Sequence, residues 1–268
     1  MKTIADFENT FARQYRNWFL QKIQLCTPNQ ALTATLENHP QLLCIMNHGG
    51  FLGPWAAALG FHYLYHQYGG QHRKPTGIAW RGFYKLPIYR QITQFLTQTN
   101  QPLDFEQCQA LLTEKTFNDM IILPEGTNCH YFNGSELQPF ISHRFVELSR
   151  ATQVPMLLMV HCGSEHWNIR ISVPNLLLPI TRFLPKRYRQ GLDNNKLVNV
   201  PHMLKGRIPS LKIACSVYHS RPDCHSSEEE ALIIRNIMQE MYNQLRQDVT
   251  NQNAFLAHPC AEQRVPMT

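Results

Sequence analysis

The sequence predicts an α/β protein: a single domain with a mixed, mostly parallel central sheet flanked by helices, preceded by an N-terminal amphipathic helix. Three features carry that expectation. Apolar runs of strand length alternate with longer stretches of helical periodicity, the order that builds parallel sheets. Two of those runs, 42–46 and 120–123, end in turns rich in polar residues and glycine, Asn47-His48-Gly49-Gly50 and Pro124-Glu125-Gly126-Thr127. No internal repeat, low-complexity tract or linker divides the 268 residues, so one domain over 1–268 is expected.

The elements follow in order. Over 4–25, Ile4, Phe7, Phe11, Tyr15, Trp18, Phe19, Leu20 and Ile23 recur at three- and four-residue spacing, with Arg13, Arg16 and Lys22 between them. This N-terminal segment, 1–27, closes at Thr27-Pro28-Asn29. Its apolar stripe has two uses, packing on its own domain or lying in a membrane interface, and periodicity alone leaves both open. Strand 42–46, helix 53–66 and strand 76–80 come next, then helices 87–97 and 105–116. Strand 120–123, helix 140–151 and strands 154–160, 167–173 and 211–217 follow. The last helix, 226–248, opens with Ser226 and Ser227 as caps and Glu228, Glu229 and Glu230 in its first turn. Residues 259–268 are expected as a loose tail. Segment 181–210 carries Arg182, Lys186, Arg187, Arg189, Lys196, Lys205 and Arg207. It is expected as a basic surface insertion, either a solvated loop or a contact for anionic lipid head groups.

Composition excludes several classes. With 43% hydrophobic and 16% charged residues the chain is not a disordered polyelectrolyte. A formal charge of +6 favours an anionic partner, a membrane surface or a phosphorylated ligand. No dense Lys/Arg stripe with interleaved aromatics points to nucleic acid. The eight cysteines form no Cys-x-x-Cys pair, and the opening Met-Lys-Thr-Ile-Ala-Asp-Phe-Glu has no apolar signal core. Both point to reduced thiols in a cytoplasm. No apolar stretch approaches the roughly 20 residues a bilayer span needs. The expected place is therefore the cytoplasm, peripheral on the inner face of a membrane.

Several chemistries lack their residues. There is no P-loop and no Gly-x-Gly-x-x-Gly. His62 and His66 lie four apart without the glutamate of a His-Glu-x-x-His helix, and His219, Cys224 and His225 lack paired-cysteine spacing, so no metal is expected. A serine hydrolase needs a Gly-x-Ser-x-Gly elbow, and the only glycines at that spacing, Gly49 and Gly53, bracket Phe51. What remains is the pair of strand-end turns. Histidine, with a reference pKa near neutral, is the side chain suited to general-base work. Glycines beside it let backbone amides approach a ligand.

With those turns in place, the chain resembles the glycerolipid acyltransferase family, which includes lysophosphatidate and glycerol-phosphate acyltransferases. Four blocks carry the resemblance over 42–175. Asn47-His48 with four residues to Gly53 is similar to the family's Asn-His-x4-Asp, with glycine in place of the aspartate. Arg81-Gly82-Phe83-Tyr84-Lys85-Leu86-Pro87 is similar to its basic–Glu–Leu…Pro block. Leu123-Pro124-Glu125-Gly126-Thr127-Asn128 is similar to Phe-Pro-Glu-Gly-Thr-Arg, and Val154-Pro155 through Val160 to its Val-Pro-x-x-Pro-Val strand.

The resemblance implies acyl transfer from acyl-CoA or acyl carrier protein to a hydroxyl of a lipid or hydrophobic alcohol, with no cofactor beyond the donor. It gives His48 the role of general base. It gives substrate contacts to Asn47, Gly49, Gly50, Arg81, Glu125, Gly126 and Thr127, with Arg81 as the anchor for an acceptor phosphate; the glycine placement adds the Gly49 and Gly50 amides as oxyanion donors. Gly53 leaves open what orients His48; Asp104, Asp119 and Glu165 are carboxylates without an evident place. Diacylglycerol acyltransferases also lack the aspartate and carry a His-Gly step. Asn128 in place of arginine favours a neutral acceptor. The alternative is a catalytically silent relative that binds lipid or acyl thioester.

Overall fold

The computed structural model describes residues 1–50, 52–131, 136–172, 174, 197–202, 205–221 and 226–247. The chain starts as a helical segment in three parts. In α1 (Ile4–Phe7) the Thr3 hydroxyl accepts from the Asp6 amide, and the Asp6 carboxylate takes the Thr3 N–H. A π-turn over Glu8–Ala12 joins it to α2 (Arg13–Phe19). The helix expected over 4–25 thus ends at Phe19. Ile23–Leu25 forms β1 instead, because pairing with a sheet edge overrides the local helical period.

After α3 (Asn29–Asn38), which the sequence did not announce, come β2 (Leu42–Met46) and α4 (Gly53–Gln67). β3 (Pro75–Gly77) is shorter than expected, and a 3-10 turn over Arg81–Tyr84 leads into α5 (Pro87–Thr97). α6 (Phe105–Thr113) and β4 (Asp119–Ile122) follow. α7 (Arg144–Thr152) begins four residues later than the expected helix, because the Ile141 amide is held by the Pro124 carbonyl. Then come β5 (Met156–Cys162), β6 (Asn168–Ser172), β7 (Leu197–Pro201), β8 (Leu211–Tyr218) and α8 (Ser227–Gln247).

Six strands form one mixed sheet in the order β1-β8-β5-β2-β4-β3. β5, β2, β4 and β3 run parallel, and β8 is antiparallel to β5. β6 pairs with β7 in a separate antiparallel ribbon. Part of the expected basic loop is therefore strand; its residues 181–196 and 203–204, like the tail 259–268, lie outside the described residues.

β2 is buried along its whole length, which is why it is a continuous apolar run rather than an alternating one. Leu42, Cys44 and Met46 face α4 and the N-terminal helices through Ala56, Leu59 and Phe61. Leu43 and Ile45 face the other layer, with Phe145, Ile234 and Met238. The N-terminal segment spends most of its apolar stripe on its own domain: Ile4 and Phe7 are buried, Phe11, Tyr15 and Phe19 pack against the same cluster, and Trp18 is exposed. None of the six described cysteines is in a disulfide. No described helix is long and apolar enough to cross a membrane.

Candidate active site

The parallel strands end at one edge of the sheet, and the two turns singled out in the sequence meet there. β2 delivers Asn47 and His48; its neighbour β4 delivers Leu123-Pro124-Glu125. The His48 backbone N–H donates to Glu125 Oε1 at 2.8 Å. The other carboxylate oxygen accepts from the Gln138 amide at 2.9 Å. Glu125 is fully buried, and burial pushes its carboxyl up to about 7 against the pull of those two N–H donors. Both oxygens are thus committed to backbone, so Glu125 grips the His48 turn rather than facing a ligand.

Asn47 is also buried, and its amide acts as an extra rung between β2 and β5. Nδ2 donates to the His161 carbonyl at 3.0 Å, and Oδ1 accepts from the His161 amide at 2.7 Å. Only a side chain with both a donor and an acceptor makes that pair. Asn47, expected at the substrate, is instead a strut. His161 returns a third bond, Nε2–H to the Asn47 carbonyl at 2.9 Å. Burial holds its imidazole down to about 4, so it is neutral at pH 7. His161 escaped the sequence reading; its signal was a histidine at the end of the apolar run neighbouring the His48 strand.

The His48 imidazole is half-buried, and Nδ1 lies 3.2 Å from the Gly50 carbonyl. A carbonyl only accepts, so in this contact Nδ1 is the donor. The orienter left open by Gly53 is therefore a backbone carbonyl two residues on, which also accepts from the Gly53 amide at 2.9 Å. The three unplaced carboxylates are spent elsewhere. Asp104 caps α6, Asp119 forms a buried bidentate pair with Arg73, and Glu165 accepts from the Gly163 amide. Nor is there room for the family's aspartate: a Cβ on Gly53 would lie 1.8 Å from the His48 carbonyl oxygen.

Two other glycines are required by the turn. Gly49 has φ +66°, a left-handed conformation, and a Cβ on it would come within 2.6 Å of Ser164 Oγ. A Cβ on Gly50 would sit 1.9 Å from Asn168 Nδ2. Gly126, at φ +50°, turns the chain beneath Ile141, and half-buried Thr127 follows it. Asn128 donates Nδ2 to the Pro139 carbonyl at 2.8 Å, so it braces the loop. Arg81 is exposed on the 3-10 turn after β3, at the same sheet edge, and makes no hydrogen bond to the His48 turn among the described residues. His62 donates Nδ1 to the Ala58 carbonyl inside α4, and no cluster of metal-ligating side chains occurs among the described residues.

Fold and site together define an α/β domain whose parallel strand ends carry a histidine turn locked onto a buried glutamate. Among solved structures it is similar to the crystal structure of the 1-acyl-sn-glycerophosphate (LPA) acyltransferase PlsC from Thermotoga maritima, with a TM-score of 0.54. The two are 14% identical, over 91% of this chain and 79% of that one. The likeness is one of fold. No family model matches the chain, and no curated protein does either.

Proposed function

We propose that this chain is an acyltransferase moving a fatty acyl group from an acyl thioester, acyl-CoA or acyl carrier protein, to the hydroxyl of a lipid-like acceptor. The observation that carries the reading is the His48–Glu125 contact, which joins two of the four family-like blocks into one turn at the sheet edge. The likeness in fold to a lysophosphatidate acyltransferase supports it.

In this reading His48 Nε2 takes the proton of the acceptor hydroxyl. The oxygen attacks the thioester carbonyl, the C–S bond breaks, and the leaving thiolate takes the proton back from the imidazolium. The Gly50 carbonyl keeps the tautomer correct throughout. It stabilises the imidazolium less than a carboxylate would, so turnover is expected to be modest. The Gly49 and Gly50 amides make no hydrogen bond among the described residues and stand ready as oxyanion donors. Arg81 anchors the acceptor's polar end. Gly126 and Thr127 wall the acceptor side, while Asn47, Glu125 and His161 act through the His48 turn as positioning residues. No cofactor enters beyond the donor. The silent-relative reading would gain if nothing reached His48 Nδ1; the Gly50 carbonyl at 3.2 Å is a partner there, which favours the acyl-transfer reading.

The test is free-thiol release from a panel of acyl-CoAs and acyl carrier protein, with and without a mixed lipid extract, comparing wild type with His48→Ala. Release that needs both the extract and His48, with an acylated product by mass spectrometry, is the expected result. Wild-type release by His48→Ala overturns the mechanism; no release with any donor overturns the activity.

A further inference from the structure

Beside this edge, a run of large apolar side chains is partly exposed. Over residues 78–92, Trp80 is 49% exposed, Phe83 38%, Leu86 47% and Tyr89 55%. Trp80 meets Phe83 edge-on at 5.4 Å, and Phe83 stacks on Tyr89 at 5.6 Å, so the rings form a single raised cluster. The segment is not loose. The Tyr84 hydroxyl bonds Thr97 Oγ1 at 3.0 Å and Thr99 Oγ1 at 2.9 Å, and Thr76 Oγ1 donates to the Thr97 carbonyl at 2.6 Å. The inner side of α5 packs through Phe95 onto Phe7 and Phe11. The outward rings are therefore held out by a firm base.

Charge marks what the face meets. Arg81, Lys85 and Arg90 are exposed between the rings, and no aspartate or glutamate occurs from Arg73 to Leu103. Indole and phenol rings alternating with cations match the bilayer interface, where rings enter the acyl boundary and cations meet anionic head groups.

We infer that residues 78–92 form a membrane-docking face that seats an anionic lipid surface beside the His48 edge. This places docking on the segment after β3; of the N-terminal stripe, Ile4 and Phe7 are buried, Phe11, Tyr15 and Phe19 are half-buried, and Trp18 is 59% exposed. The orientation rests on the acyl-transfer reading for its use: a lipid acceptor would reach His48 directly from the bilayer.

The experiment is sedimentation of the full chain with vesicles of phosphatidylcholine alone or mixed with phosphatidylglycerol, beside size-exclusion chromatography. Wild type is expected to partition onto the mixed vesicles in a salt-sensitive way. Trp80→Ser with Tyr89→Ser should lower partitioning at least tenfold. Lys85→Glu with Arg90→Glu, at exposed sites that leave folding intact, should lower it about tenfold on anionic vesicles only. Trp18→Ser, at an exposed aromatic outside the face, serves as control and should change nothing. Failure of wild type to bind mixed vesicles, or undiminished binding by both double variants, overturns the inference. So does a wild-type dimer that the serine variant dissolves, or capture of acidic carrier protein by the face in place of vesicles. Thiol release by wild type is scored separately: docking without transfer overturns only the acyl-transfer reading, and transfer without docking overturns only this one.

Discussion

His48 and His161 stand at the ends of adjacent parallel strands, on one edge of one sheet, in opposite surroundings. His48 sits half-buried on a left-handed glycine turn, its Nδ1 held by a carbonyl. His161 is fully buried, bonded to Asn47 through side chain and backbone, and kept neutral by desolvation. In the proposed reading the same residue type thus serves as a proton carrier in one place and a strut in the other. Burial decides the difference, since a charged imidazole without water or a counter-charge is too costly.

The largest expected break in this comparison is at His48. His48→Ala should lower acyl transfer about 10³-fold or more, the range general-base groups contribute, while the thermal unfolding midpoint stays at the wild-type value. Equal losses of stability and activity would make His48 a second strut.

Gly53→Asp comes next. On sequence grounds, restoring the family's aspartate promises a faster enzyme if the side chain fits. The structure reverses the sign. The new Cβ would stand 1.8 Å from the His48 carbonyl oxygen, a backbone atom that moves only with the whole turn. Overpacking of this kind costs about 1–3 kcal/mol, so urea unfolding should shift down and acyl transfer should fall. A stable, faster Gly53→Asp would show that the His48 turn is not held as described.

What was legible in the sequence follows from the same physics. β2, β4 and β5 are continuous apolar runs because both their faces are covered, and that signal is strong. β1 was hidden: its residues continue a helical period, and only pairing with β8 extends them. The antiparallel sense of β8 was invisible, since side-chain alternation carries no direction. In the site, His48 and Glu125 were found as residue types at strand ends. Their contact depends on β2 and β4 being neighbours, which strand patterns do not state. The roles of Asn47 and His161 were missed because a strut is defined by its partner across 114 positions of sequence, not by its own surroundings. The period of the N-terminal segment showed a stripe but not what covers most of it, and the larger exposed aromatic cluster lay in 78–92.

A smaller effect is expected at His161 near neutral pH. His161→Gln keeps the backbone bonds to Asn47 and shortens the reach to its carbonyl. It should cost about 1 kcal/mol for the lost bond and lower kcat several-fold with KM unchanged, because the His48 turn loosens while the substrate walls stay. A KM effect alone would place His161 at the substrate.

The finest contrast is in pH, where Glu125 and His161 oppose each other. His161 titrates at about 4 folded and 6.5 free, so its share of stability is full above pH 6.5 and lost as pH falls towards 4. Glu125 titrates at about 7 folded and 4.5 free, so its share is full below pH 4.5 and lost as pH rises towards 7. Across the overlap one group makes stability rise with pH and the other makes it fall, each by at most about 1.4 kcal/mol per pH unit. Their contributions should nearly cancel in the wild type. Single variants expose the hidden slopes: His161→Gln should lose stability as pH rises through this window, and Glu125→Gln should gain it. Urea midpoints of the three proteins at pH 5, 5.5 and 6 measure the signs. Parallel curves for the two variants would mean that neither group is buried as the hydrogen bonds of the His48 turn require. Opposite slopes would tie both titrations to the one turn, with the half-buried histidine held between a carboxyl that resists losing its proton and an imidazole that resists gaining one.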